Sequence, residues 1–244
     1  MIDTSILQQH RKIALSASGG KDSLAVLYLL RDHLPRITVY HLDTGDLLPE
    51  MRESVAHIRS MAPKFVHIHG DVAGWIKKHG MPTDLLPYSA HQIGQMAGQS
   101  SIQLVTRYEC CFANLMWPVW ERVKADGNTL LIRGTKSCDL KKLPAKSGAT
   151  HDGVEIWLPI NDWSHDDVFA YLRSVGAPIP RLYEHMTNSP ECARCPAWWG
   201  ERRASYLRQY YPTLFEDYRK RLHAVAAEIA SSVSDLYREM GDAA

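Results

Sequence analysis

Apolar positions in the first half of the chain fall into short runs separated by amphipathic stretches. Lys12–Ala17 (KIALSA) is a compact apolar run and predicts a buried strand. Asp22–Leu34 sets Leu24, Leu27, Tyr28 and Leu30 on one side and predicts a helix. Ile37–Leu42 predicts a second strand, ending at Asp43, Thr44 and Gly45. Pro49–Met61 predicts a helix, with Pro49 suited to its first turn. Phe65–Ile68 predicts a third strand. Thr129–Arg133 predicts a fourth, after a helical stretch around Phe112–Ala125. This alternation predicts an α/β fold with a doubly wound, mostly parallel sheet.

The second half reads differently. Ser164–Val175 predicts a helix, with Ser164 as cap, Asp167 three residues on, and Val168, Phe169, Tyr171, Leu172 and Val175 as its apolar side. Thr213 and Glu216 have capping-box spacing. Behind them Phe215, Tyr218, Leu222, Val225, Ile229, Val233, Leu236 and Met240 recur every three or four residues. That stripe fits a helix packed on the body of the protein, or the seam of a homodimer or partner contact. The expected organisation is an α/β domain over residues 1–176 and a small helical part over 177–244.

The chain has 244 residues, enough for a core that needs no disulfide staples. Its 28 Lys and Arg balance 27 Asp and Glu, so contact with nucleic acid needs a local basic patch. The longest apolar run near the start, Leu24–Leu30, is too short to span a membrane. The first 20 residues lack a charged-then-apolar leader pattern, so a cytoplasmic protein without membrane contact is expected.

Ser18-Gly19-Gly20-Lys21-Asp22-Ser23 joins the first predicted strand to the first helix. Two glycines let the backbone approach an anion, and the helix N-terminus supplies unpaired N–H groups and a positive dipole end. Ser18 and Ser23 add hydroxyl donors and Lys21 a cation, while Asp22 is placed to hold Mg²⁺ or orient the loop. The Walker A spacing is absent.

The string SGGKDS resembles the PP-loop of the N-type ATP pyrophosphatases, which cleave ATP between the α and β phosphates and adenylylate a substrate oxygen. His41–Glu50 (HLDTGDLLPE) is similar to a segment of the PAPS-reductase branch of that superfamily. So are Arg133–Asp139 (RGTKSCD) and Pro159–Ser164 followed by Asp167-Val168. The resemblance spans roughly residues 12–196 and implies an adenine-nucleotide-alpha-hydrolase-like fold that binds ATP and Mg²⁺. It implies nucleotide contacts from Ser16, Ser18, Gly19, Gly20, Ser23, Asp43, Thr44, Gly45, Gly134 and Lys136, and catalytic roles for Lys21, Asp22, Ser23 and Cys138.

Of five cysteines, four form two pairs, Cys110-Cys111 and Cys192/Cys195, with 80 residues between the pairs. Paired cysteines in a reducing compartment point to metal or redox chemistry. Four thiolates suit a [4Fe-4S] cluster or a structural zinc, and plain buried thiols are the third reading. The CC…CxxC layout resembles the cluster ligands of assimilatory APS reductases and of the Fe–S ATP pyrophosphatases of DNA phosphorothioation. The reductases attack sulfur with a cysteine in a C-terminal tail, and the 49 residues after Cys195 contain none. They also carry a basic residue soon after the paired cysteines, where Phe112–Met116 is uncharged here. Cys138 reads either as a persulfide carrier, activated by Lys136, Lys141 or Lys142, or as a passive loop cysteine.

Arg133–Gly148 holds Arg133, Lys136, Lys141, Lys142 and Lys146 against Asp139, a patch suited to triphosphate or a nucleic-acid backbone and equally readable as a solvated loop. Arg194–Arg221 interleaves basic and aromatic residues, expected mainly as core aromatics with a mixed surface. His67 and His69 alternate along a strand, and two histidines alone are a weak metal signal.

The function expected first is an ATP pyrophosphatase that adenylylates a substrate oxygen for sulfur incorporation, with DNA as substrate in phosphorothioate modification. A cysteine desulfurase or other persulfide donor and further modification proteins would be its partners. The alternatives are an assimilatory APS or PAPS reductase-like enzyme and a non-catalytic nucleotide and Fe–S sensor subunit.

Overall fold

The computed structural model describes residues 2–98, 102–139, 146–200 and 202–241. The chain opens with α1 (Ile6–Gln9), β1 (Ile13–Ser16), α2 (Lys21–Leu29), β2 (Ile37–Asp43), α3 (Pro49–Met61) and β3 (Phe65–His69). It continues through α4 (Val72–His79), β4 (Met81–Thr83), α5 (Gln92–Met96), β5 (Leu104–Thr106), α6 (Arg107–Cys111) and α7 (Trp117–Ala125). The last elements are β6 (Leu130–Arg133), β7 (Thr150–His151), β8 (Val154–Trp157), α8 (His165–Ser174), α9 (Arg203–Tyr210) and α10 (Pro212–Met240).

Two compact units share this chain. One comprises residues 1–70 and 115–191, the other residues 71–114 and 192–244. Both are discontinuous, whereas the sequence suggests a single boundary at residue 176.

The first unit holds a sheet ordered β3-β2-β1-β6-β8-β7, parallel except where β7 runs antiparallel to β8. Its central strands β1, β2 and β6 are buried on both faces, which explains their nearly continuous apolar sequences. Ile13, Leu15, Ile37, Val39, Leu130 and Ile132 pack with Leu24 and Leu27 of α2 and Val168 and Leu172 of α8. The alternate residues Ala14, Tyr40, Leu42 and Leu131 pack with Val119 and Val123 of α7 on the opposite face. Strand order reverses between β1 and β6, so the crevice beyond their C-terminal ends is a topological switch point. Ser16 pairs in register with Arg133 there.

Three boundaries depart from the sequence reading. The helix expected to reach Leu34 ends at Leu29, and a 3₁₀ segment runs over Arg31–Arg36. Pro35 lacks an N–H and disfavours α geometry at Leu34. The stretch expected as helix from Phe112 begins instead as a π turn over Phe112–Met116, before α7. Pro118 in the first turn of α7 cannot donate to the ladder, and widening the preceding turn accommodates its ring. The capping box expected at Thr213 is absent: α10 begins at Pro212, with Tyr211 in the capping position. Proline at the first helical position fits the start itself, and Glu216 pairs with Arg219 at 2.8 Å. The box at Ser164 does form, with Ser164 Oγ accepting from Asp167 N–H and Asp167 reaching back to Ser164 N–H.

The second unit pairs β4 with β5 and packs Val225 and Ile229 of α10 against Ala90, Leu104 and Met81. Phe215 and Tyr218 are buried, whereas Val233, Leu236 and Met240 at the end of α10 are exposed. The apolar stripe is therefore packed over its first half only. No helix among the described residues is long and apolar enough to cross a membrane.

Candidate nucleotide site and four-cysteine site

The loop Ser18–Gly20 lies between β1 and α2, at the switch point of the first unit. Gly19 takes φ +91°, and a Cβ there would meet Val55 Cγ2 at 2.8 Å. Ser54 Oγ donates to Gly19 O at 2.7 Å, so α3 fixes the loop from one side. Ser23 Oγ donates to Gly20 O at 2.9 Å.

The loop after β6 closes the other side. A Cβ on Gly134 would stand 2.7–2.9 Å from backbone atoms of Asp22 and Ser23, so only glycine permits this approach. Two residues on, the Lys136 side chain is fully buried. Its Nζ donates to Asp22 Oδ1 at 2.6 Å and to Asp139 Oδ1 at 3.1 Å, while its N–H donates to Asp139 Oδ2 at 2.9 Å. Lys21 Nζ donates to Asp22 Oδ2 at 3.3 Å. Asp22 thus bridges two ammoniums, and its immediate task here is to hold both lysines at the loop. Buried charges are tolerable only when paired in this way.

Tyr183 roofs the loop. Its hydroxyl accepts from Lys21 N–H at 2.8 Å and donates to Ser189 Oγ at 3.0 Å. Burial pushes the phenol well above its usual range, so it stays a neutral donor. The Lys21 ammonium lies 5.4 Å from the Tyr183 ring centre and 5.8 Å from that of Phe169.

Asp43, Thr44 and Gly45 leave the C-terminal end of β2 at the same sheet edge. Asp43 Oδ1 accepts from Gly45 N–H at 2.8 Å, and Thr44 Oγ1 donates to Glu191 O at 3.0 Å. Ser16 ends β1 and is half-buried. His67 and His69 stack at 4.3 Å between ring centres, beside the buried His41. Burial holds His41 below its usual value. Its Nδ1 lies 2.9 Å from Ala17 O and so carries the proton there.

Cys138 is exposed, with Sγ 3.5 Å from Trp163 O. Lys141 and Lys142, the other candidate activators of Cys138, lie outside the described residues. Sequence reasoning missed Tyr183, Ser189, Phe169 and His165. Only the Lys136–Asp139 spacing carried a signal, since residues three apart in a turn can pair.

All four paired cysteines belong to the second unit. The Thr106–Glu109 capping box starts α6 and presents Cys110 and Cys111 in its last turn. Asn114 Nδ2, one wide turn on, donates to Cys110 O at 2.9 Å. Cys195 N–H donates to Cys192 O at 3.4 Å. Burial first, and the neighbouring Cys195 second, push the Cys110 thiol up to about 12. Arg203 is buried and donates from Nη1 to Cys195 O at 2.6 Å. Arg107 lies between the rings of Tyr108 and Trp198 and pairs with Asp84 at 3.1 Å. Asp84 also accepts from Trp198 N–H at 2.9 Å, which ties α6 to the segment after Cys195.

The donor set fits a [4Fe-4S] cluster. The buried Nε atoms of Arg107 and Arg203 have no hydrogen-bond partner among the described residues, and an anionic group would satisfy such donors. Four thiolates are the ligand set of such a cluster, and they equally suit a structural zinc. When bound, the cluster would supply an anionic cross-link and a redox centre held by Cys110, Cys111, Cys192 and Cys195.

The basic and aromatic residues of 194–221 are largely engaged within the second unit. Arg194 pairs with Asp217, Arg208 stacks on Phe215, and Tyr206 is buried against Tyr210 and Tyr211.

The structure thus places a glycine loop and a helix N-terminus at the switch point of a mostly parallel, doubly wound sheet. The family profile of the phosphoadenosine phosphosulfate reductase domain matches residues 12–85. The adenosine 5'-phosphosulfate reductase of Allochromatium vinosum is 23% identical over 202 residues, covering 75% of this chain and 72% of the relative. That of Neisseria meningitidis serogroup A is 24% identical over 219 residues, covering 82% of this chain and 83% of the relative. A solved phosphoadenylyl-sulfate reductase from Candida auris, in a phosphate complex, has a TM-score of 0.49 at 16% identity, over 71% of this chain and 77% of that one. Over most of its length the chain is thus similar to adenosine 5'-phosphosulfate reductases, and residues 12–85 match the phosphoadenosine phosphosulfate reductase domain.

Proposed function

We propose that this enzyme of the PAPS reductase family binds an adenylyl sulfonucleotide at the Ser18–Ser23 loop, where the sulfur of an external thiol reductant attacks the sulfonyl sulfur and AMP leaves; a second thiol then releases sulfite and the two thiols end as a disulfide. The observation that carries this reading is the convergence of Lys21 and Lys136 on a glycine loop at a helix N-terminus. That arrangement stabilises negative charge gathering on a departing phosphate. Similarity to APS reductases over most of the chain favours a phosphosulfate as the group cleaved. The four cysteines would hold a [4Fe-4S] cluster in the second unit.

A second reading is ATP cleavage to AMP and pyrophosphate with adenylylation of a substrate oxygen, such as a DNA phosphate. The same pair of ammoniums supports it, because two cations suit a polyphosphate as well as a single sulfate.

The test is product analysis of anaerobically purified protein. Adenosine phosphosulfate with a thiol reductant should give AMP and sulfite, and Lys136→Ala should abolish the reaction. AMP and pyrophosphate from ATP·Mg²⁺, with no sulfite from the sulfonucleotide, would move the second reading to the front. No AMP from either nucleotide refutes both.

A further inference from the structure

In the first unit, the Cys138 sulfur, an Asp139 carboxylate oxygen and a His165 ring nitrogen all lie within 4.8 Å of one another. Three separate constraints bring them there. Cys138 and Asp139 follow Lys136 on the loop after β6, where Ser137 N–H donates to Asn161 O at 2.8 Å. His165 is the first residue of α8, whose start is set by the Ser164 capping box. Asp139 is held by Lys136 through both carboxylate oxygens, at 2.9 and 3.1 Å.

His165 supplies the observation that asks for a ligand. Its Nδ1 is buried and has no hydrogen-bond partner among the described residues. Buried polar atoms in folded proteins are nearly always satisfied, so such an atom calls for an explanation. The atoms beside it are a thiol and a carboxylate, and thiolate, imidazole and carboxylate are the donors that bind zinc-like ions.

We propose that Cys138, Asp139 and His165 form a binding site for a thiophilic divalent metal ion of the Zn²⁺ class, next to the Lys136–Asp22 bridge of the nucleotide loop. Around a tetrahedral ion, sulfur and nitrogen ligands stand about 3.5 Å apart. The trio lies within 4.8 Å, and Cys138, the exposed member, is the ligand with room to move toward that spacing. Lys136 orients the carboxylate, the outer-shell support that metal ligands usually receive. Three protein ligands leave a fourth position open, as catalytic sites of this class do. A nucleotide oxygen or water is the chemistry that position would take. The site is distinct from the four-cysteine set, which belongs to the second unit.

The test uses the full chain, stripped of metal anaerobically and titrated with Co²⁺ alone. Co²⁺ also occupies cysteine sites, so the readout is a difference between proteins of matched circular dichroism. The wild type should bind one equivalent more than Cys138→Ser and one more than His165→Asn. The lost equivalent should carry a thiolate-to-cobalt absorption band. Equal stoichiometry in wild type and both variants overturns the proposal. So does loss in Cys138→Ser alone, because the imidazole would then not be a ligand. No nucleotide is present in the assay, so its failure leaves the proposed reaction untouched, and failure of that reaction leaves this site untouched.

Discussion

Replacing Gly134 with alanine tests the contact that joins the two halves of the nucleotide site. The added Cβ would stand 2.7 Å from Asp22 C, 2.8 Å from Asp22 O and 2.9 Å from Ser23 N, where ordinary contact begins at 3.4 Å. All three are backbone atoms of the first turn of α2, so no side chain can swing aside. The loop after β6 must retreat by roughly 0.5–0.7 Å, an overpacking that costs about 1–3 kcal/mol. At about 2–4 °C per kcal/mol for a chain of this size, the melting temperature should fall by roughly 2–12 °C. The same retreat draws Lys136 away from Asp22, so affinity for adenosine phosphosulfate or ATP should drop about tenfold or more. Calorimetric melting and equilibrium nucleotide binding measure the two effects. Gly176→Ala is the control: its φ is +65° with nothing within 4 Å of the new Cβ, so it should cost stability without weakening nucleotide binding. Wild-type affinity and an unchanged melting temperature in Gly134→Ala would refute the close approach.

Three further outcomes follow from the geometry. Tyr183→Phe removes the acceptor for Lys21 N–H and should destabilise the protein by about 1–3 kcal/mol, read by denaturant unfolding; an unchanged midpoint would mean the hydroxyl carries no weight. In metal-free protein at pH 8, iodoacetamide should modify exposed Cys138 well before Cys110, whose thiol is pushed up to about 12; mass mapping that finds Cys110 first would contradict its burial. His41 is held below its usual value of 6.5, so the unfolded chain binds its proton more readily than the folded one. Its neutral form favours folding above that value, and stability should fall as pH drops below about 6.5, less so in His41→Asn; equal pH slopes for the two proteins would count against this.

The sheet was legible because parallel strands buried on both faces are written as apolar runs, as in Ile13–Leu15 and Leu130–Ile132. The loop was legible because Gly19 and Gly20 stand between such a run and a helix. The irregular turns were less so: Pro35 and Pro118 reshape their helices through ring sterics that a hydrophobic period does not register. Long-range partners left still less trace. Nothing near Tyr183 in sequence announces that its hydroxyl meets Lys21, 162 positions away. His165 reads simply as the residue after a helix cap. Arg107 and Arg203 acquire meaning only once folding sets them beside the cysteine segments.

The Tyr183 roof has a consequence for selectivity. The loop lends its Lys21 N–H to a neutral phenol, which in turn donates to Ser189 Oγ. Any group reaching for that N–H must displace the phenol. An uncharged hydroxyl would exchange like for like and gain almost nothing. A phosphate or sulfate oxygen would replace a neutral hydrogen bond by a charge-assisted one, about twice as strong. On the proposed reading, an anionic group is therefore favoured here before any chemistry begins, and a nucleoside lacking one should bind weakly.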